Sequence, residues 1–257
     1  MNIGVQTESK GTISILHRCE HGFVQQYTSA QSLQLHILDT RKRVYGHEDP
    51  DTLVGMHELA VTYQAQGRYD EAQALLVQVV DAWKRVKGDE HPSTLGSMDQ
   101  LASTYYSQGR YDEAESMQVH VLEVRKRRLG DEHPGTLSAM NNLARTYYVR
   151  GRYGEAEELQ LKVLEARTRA YGEDHPATLT NMNNLANTYC ALGRYEQAEE
   201  LGRKVVVGRK SVLGARHPRT LLSIRNLLAT YKAMGERRKQ EYKALADQVA
   251  TLDAGTT

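Results

Sequence analysis

The chain has 257 residues, 40 % hydrophobic and 25 % charged, with 33 Lys plus Arg against 32 Asp plus Glu for a net charge of +1. It is long enough to bury a sizeable core and too apolar for a disordered polar chain, and its charge balance supplies no global field toward nucleic acid or an anionic membrane. No apolar run approaches the roughly 20 residues that span a bilayer, and Cys19 and Cys190 belong to no CxxC or zinc spacing, which predicts free thiols in a reducing compartment, by default the cytoplasm.

Read in chain order, residues 1–24 carry no clear pattern: His17, Arg18 and His21 stand where Leu, Ala and Tyr recur later. That segment is expected to be degenerate or frayed. Its apolar stretch is too short and interrupted for a signal peptide. Residues 27–45 fit a helix without a clear partner. A strict period of 42 then governs the sequence, so that 25–235 reads as one repeat array. Asp49-Pro50 is followed in phase by His-Pro at 91, 133, 175 and 217, and each pair precedes Thr-Leu. The same phase carries Leu59, Leu101, Leu143, Leu185 and Leu227, then Tyr63, Tyr105, Tyr147, Tyr189 and Tyr231, then Gly67, Gly109, Gly151, Gly193 and Gly235.

Within a period, Leu95, Met98, Leu101, Ala102 and Tyr105 fall three and four apart, which predicts an amphipathic helix ending near Gly109. Proline suits its first position, where a missing N–H costs no hydrogen bond. A second helix is expected from about Asp112 and Glu113, acids that suit a helix N-terminus, to the bases of "RKRRLG". Gly-Arg-Tyr then forms the turn, and the small Ala72, Ala114, Ala156 and Ala198 allow close helix approach. Residues 236–253 are rich in helix formers and predict a polar capping helix, with 254–257 as a mobile tail.

"NNLARTYYVRGRYGEAEELQLKVLEARTRAYGEDHP", Asn141 to Pro176, resembles the 42-residue tetratricopeptide repeat of kinesin light chains, over Tyr27 to Tyr231. The resemblance implies an all-α, right-handed superhelical solenoid of antiparallel helix pairs. It also implies an adaptor or scaffold that binds an extended segment of another protein in a concave groove. Gln118, Gln160 and Gly202 depart from the family, which has an aromatic residue there. Similar arrays also follow nucleotide-binding switch domains in fungal and bacterial proteins, so a sensor array whose catalytic domain lies elsewhere is the alternative. No heptad segment suited to pairing with a motor chain is present.

One column on the first helices reads Glu58, Gln100, Asn142, Asn184, Asn226. A carboxamide both donates and accepts, so a ladder of them either pairs with a peptide backbone or bonds between neighbouring helices. In the similar repeats, asparagines at this position bind peptide backbone, which carries over to Asn142, Asn184 and Asn226 and more weakly to Gln100. Asn141, Asn183, Arg145, Asn187, Tyr106 and Tyr148 lie beside them, with Asp99, Arg225 and Lys232. Bases outnumber acids in this group, and a modest preference for acidic peptides is expected.

Other features read as structural. Basic clusters such as "RKRR" at 125–128 end second helices, where cations complement the dipole, and no aromatic interleaving suits nucleic acid. The His-Pro histidines recur a full repeat apart, too far to share a metal, and are expected to cap helices; His17, Cys19 and His21 are the one dense group of potential ligands. No glycine-rich phosphate loop, HExxH or GxSxG is present. The chain is expected to be no enzyme, to need no cofactor or metal, and to bind protein rather than nucleic acid or membrane.

Overall fold

Every first helix opens where the sequence places His-Pro or Asp-Pro. The computed structural model of the protein describes residues 32–254. The sequence expectations for residues 1–24, including His17, Cys19 and His21, lie outside them, as do residues 255–257 of the tail. The chain divides after Gly109. The first unit holds α1 (residues 32–45), α2 (Pro50–Ala65), α3 (Tyr69–Lys87) and α4 (Pro92–Ser107). The second holds α5 (Tyr111–Leu129), α6 (Pro134–Val149), α7 (Tyr153–Tyr171), α8 (Pro176–Ala191), α9 (Tyr195–Leu213), α10 (Pro218–Met234), a 3-10 turn (Gly235–Arg238) and α11 (Lys239–Ala254). The described residues contain no strand, and no described helix is long and apolar enough to cross a membrane.

The caps explain the regularity. Nδ1 of His91, His133, His175 and His217 accepts the N–H of the residue two positions on, at 3.1 to 3.2 Å. Asp49 accepts two such N–H groups, from Asp51 and Thr52. Each therefore satisfies a donor that the helix itself leaves unpaired, an interaction worth about 1 kcal/mol. At the other end of the first helix a glycine takes positive φ, as at Gly151 (75°) and Gly193 (74°), and the next N–H reaches back to the tyrosine carbonyl five residues earlier. Arg152 N to Tyr147 O is 2.9 Å, and Arg194 N to Tyr189 O repeats it. That closed turn reverses the chain in three residues, so consecutive helices run antiparallel. The tyrosine expected in the turn is instead the first residue of the second helix.

The arginine of Gly-Arg-Tyr has a double task. Its guanidinium carbon lies 4.2 Å over Tyr63 from Arg68, 4.1 Å over Tyr147 from Arg152 and 4.4 Å over Tyr189 from Arg194. Its other nitrogens hold acids: Arg152 Nη1 donates to Glu115 and Arg194 Nη1 to Glu157, both at 2.6 Å. Cation–π contact and ion pair together tie the turns at Arg152 and Arg194 to the preceding second helix, while Arg68 pairs with Glu71 of the helix it opens.

Between helices the core is leucine, methionine, alanine and valine. In the first unit Leu38, Leu53, Met56, Leu59, Val79 and Trp83 form one cluster. In the second, Leu179, Met182 and Val205 join α8 to α9, while Val206, Ile224, Leu227, Tyr231 and Met234 join α9 to α10 and receive Leu245 and Val249 of α11. Helix α11 thus covers an apolar surface that the array would otherwise expose. It spans 239–254, after a 3-10 turn, where the sequence suggested 236–253.

The non-aromatic positions have a specific solution. Gln118 and Gln160 are buried, and their Oε1 atoms accept from Thr146 Oγ1 at 2.7 Å and Thr188 Oγ1 at 2.8 Å on the following first helix. A buried polar pair replaces aromatic packing. At Gly202 a Cβ would stand 3.1 Å from Leu227 Cδ1, so the leucine lies against bare backbone.

Candidate peptide-binding face

Residues four apart on a helix share a side, and α6, α8 and α10 each touch the next in the second unit. This neighbourhood brings Asn141 and Asn142 of α6, Asn183 and Asn184 of α8, and Asn226 of α10 together. Asn184 Nδ2 donates to Asn141 Oδ1 at 3.3 Å, and Asn226 Nδ2 donates to Asn183 Oδ1 at 3.2 Å. The amides therefore form a ladder between helices. Asn183 is buried; the other four are half-buried.

A carboxamide has two N–H groups and two acceptor lone pairs, so one such bond leaves bonding capacity at every rung. Asn142 and Asn187 go further: neither side-chain amide has a hydrogen bond among the described residues. They stand half-buried beside the ladder with donors and acceptors available. Arg145 is exposed on the same helix as Asn142, and Tyr148 packs its ring 5.4 Å from that of Tyr153.

Gln100 and Tyr106 sit on α4, in the first unit, whereas the asparagines belong to the second. Gln100 Nε2 donates to Gln64 Oε1, while Gln64 Nε2 donates to the Gln100 carbonyl at 3.1 Å and to Thr104 Oγ1. The Gln100 amide thus clamps α2 to α4. Sequence reasoning grouped it with the asparagines by phase alone and missed Gln64, whose column reads Gln64, Tyr106, Tyr148, Cys190 and Lys232 and shows no rule.

Comparison with known proteins decides the family. A tetratricopeptide-repeat family model matches residues 19–84, 54–127, 95–160 and 142–211. The chain belongs to the tetratricopeptide-repeat family. It is 35 % identical to a Podosopora anserina protein described as a kinesin light chain with nearly identical TPR-like repeats. That crystal structure superposes with a TM-score of 0.70 over 82 % of this chain and 97 % of the other. BtubC (BKLC) from P. vanneervenii superposes at 0.75, covering 89 % and 91 %, at 21 % identity. The Pyrococcus horikoshii signal-transduction ATPase with a tetratricopeptide-repeat sensor reaches 0.72 at 16 % identity, over 92 % of this chain and 35 % of that one. These last two likenesses are of fold. A search of curated proteins gives no match. The repeats are thus of the kinesin-light-chain-like kind, in a family of protein-interaction scaffolds.

Proposed function

We propose that the protein is an adaptor that holds an extended segment of a partner against the face of α6, α8 and α10, in the manner of cargo recognition by kinesin-light-chain-like repeats. The observation that carries this reading is the amide pattern: a ladder that fixes Asn141, Asn183, Asn184 and Asn226, flanked by the unbonded Asn142 and Asn187. Fixed amides with remaining donors and acceptors suit a peptide backbone, whose own N–H and C=O alternate. The ladder holds them in place before binding, which lowers the ordering cost.

The side chains around the ladder favour acidic peptides. Helices α6, α8 and α10 contain no Asp or Glu, yet carry Arg145, Arg219, Arg225 and Lys232. Positive charge on helices that carry no acid of their own speeds encounter with an acidic segment, an effect that weakens as salt rises. The free Cys190 accords with a reducing cytoplasm. The regulatory alternative, a sensor array of a nucleotide-binding switch, has only likeness of fold behind it.

The test is a peptide-display selection on the purified protein, counter-screened with an Asn142→Ala, Asn187→Ala variant of unchanged helicity. Peptides enriched on the parent and lost on the variant support the reading. Equal binding by both removes the asparagine face from the proposal.

A further inference from the structure

Helix α1 leaves open a face that its repeat equivalents bury. Ile37 is 42 % exposed, whereas Val79, Val121, Val163 and Val205, its counterparts at the 42-residue period, are each 0 % exposed. Leu33 is 59 % exposed, whereas its counterparts Leu75 and Leu201 are partly buried against core clusters. The complete pairs show what covers these positions. Val205 packs with Leu179 and Met182 of α8, the first helix of its own pair, and Leu201 packs against Leu185 and Tyr189 of the same helix. Val79 likewise shares a cluster with Leu53, Met56 and Leu59 of α2. The face of α1 therefore calls for a preceding helix with apolar residues at successive spacings of three, three and four.

The sequence just before α1 carries that series, two residues out of phase. Thr12-Ile13, Leu16, Cys19 and Phe23 repeat the spacing of Thr52-Leu53, Met56, Leu59 and Tyr63 at an offset of 40 instead of 42, and His17 then matches His57. Phase is restored at Tyr27, which follows Phe23 by four positions where Tyr69 follows Tyr63 by six. The slip is thus a connection shortened by two residues and lacking Gly-Arg, still within the length that joins antiparallel helices. Read at 42, the same segment puts His17, Arg18 and His21 at core positions, and the series vanishes. Glu20 stands at the alanine position of Ala60, which α10 also fills otherwise, with Leu228.

We propose that the open face of α1 is the docking surface for residues 12–23 of this chain, held as the first helix of the pair that α1 completes. Ile13 and Leu16 cover Ile37, and Cys19 and Phe23 cover Leu33. Residues 12–23 lie outside those the structure describes, and the match between their apolar series and the uncovered positions names them as the occupant. A helix of a repeat pair cannot bury its apolar stripe alone, and this segment supplies the missing half.

The test uses the full chain with Cys190→Ser, which leaves Cys19 as the one thiol, and N-ethylmaleimide as the probe. Cys19 takes the place of Leu59, Leu101, Leu143 and Leu185, which are 1–3 % exposed, so its alkylation should run at least about tenfold slower in the native chain than in urea. Ile37→Asp should bring the native rate up to the unfolded one while the array still melts cooperatively, and Leu16→Asp, which alters no described helix, should do the same. Leu35→Asp is the matched control. Leu35 is also 42 % exposed, but its counterpart Leu161 is 42 % exposed within a complete pair, so this variant should keep the slow rate. Native alkylation as fast as in urea overturns the proposal, as does protection that survives Leu16→Asp or is equal in the Ile37→Asp and Leu35→Asp variants. Protection that fades on dilution also overturns it, because it would give the face to a second copy of the chain.

Discussion

Asn184 Nδ2 donates to Asn141 Oδ1 across 3.3 Å, from α8 to α6. The partners stand 43 positions apart, one more than the 42-residue period, so the second amide of one Asn-Asn pair bonds the first amide of the pair before it. Asn226 repeats the offset to Asn183. The run needs two adjacent amides per helix, and Arg225 occupies the position where the next acceptor would stand.

This offset separates structural from ligand-reading asparagines. Asn184→Ala should cost about 0.5–1.5 kcal/mol in urea unfolding, and its effect should not add to that of Asn141→Ala. Asn142→Ala should stay within about 0.5 kcal/mol of the parent, because its amide is unbonded. Both should weaken a display-selected peptide by calorimetry. If Asn142→Ala binds as the parent does, the peptide lies elsewhere.

The buried Gln160–Thr188 pair predicts an asymmetric mutational cycle. Thr188→Val leaves the Gln160 carboxamide, 2 % exposed, without its 2.8 Å donor, and should cost about 1–3 kcal/mol. Adding Gln160→Leu removes both polar groups and should recover most of that loss. A double variant no more stable than Thr188→Val would show that the pair is not the energetic unit.

His57 makes unit 1 sensitive to pH. Burial holds its imidazole below the ordinary histidine range, against the opposing pull of Glu58, and Ser97 Oγ faces its Nδ1 at 3.3 Å. The unfolded chain therefore binds the proton first. Its contribution is fully present above the unfolded value near 6.5 and declines as pH falls through 6.5 toward the folded value. Thermal midpoints measured from pH 8 to 5 should fall less steeply for His57→Gln than for the parent, and equal slopes would contradict this.

Charge on the binding face predicts a loss that salt erases. Arg225→Glu with Lys232→Glu, both at exposed positions of α10, should weaken an acidic peptide severalfold at low salt and approach parity with the parent near 1 M salt. Surface plasmon resonance across a salt series measures it. An acidic peptide bound equally at low salt would remove the charge preference while leaving the backbone reading intact.

Much of this architecture is legible before any coordinates. His-Pro announces a capped first turn, the tyrosine–glycine spacing announces a reversal, and the 42-residue phase aligns every repeat, because these are contacts within one helix pair. Local chemistry repeats with the sequence. The ladder was less legible, since its offset of 43 depends on the rotation of α8 against α6, which no single helix encodes. Gln118 and Gln160 stand in the sequence only as departures from aromatic packing, because their threonine partners lie 28 residues away on another helix.

The cross-helix side-chain bonds described for the second unit span at most 43 residues and join one period to the next. Duplication or loss of one whole period within that unit would therefore reproduce the same kinds of junction on either side. The length of the partner segment a descendant of this gene could hold is adjustable by whole in-frame steps, each adding or removing one rung, without inventing a new interface.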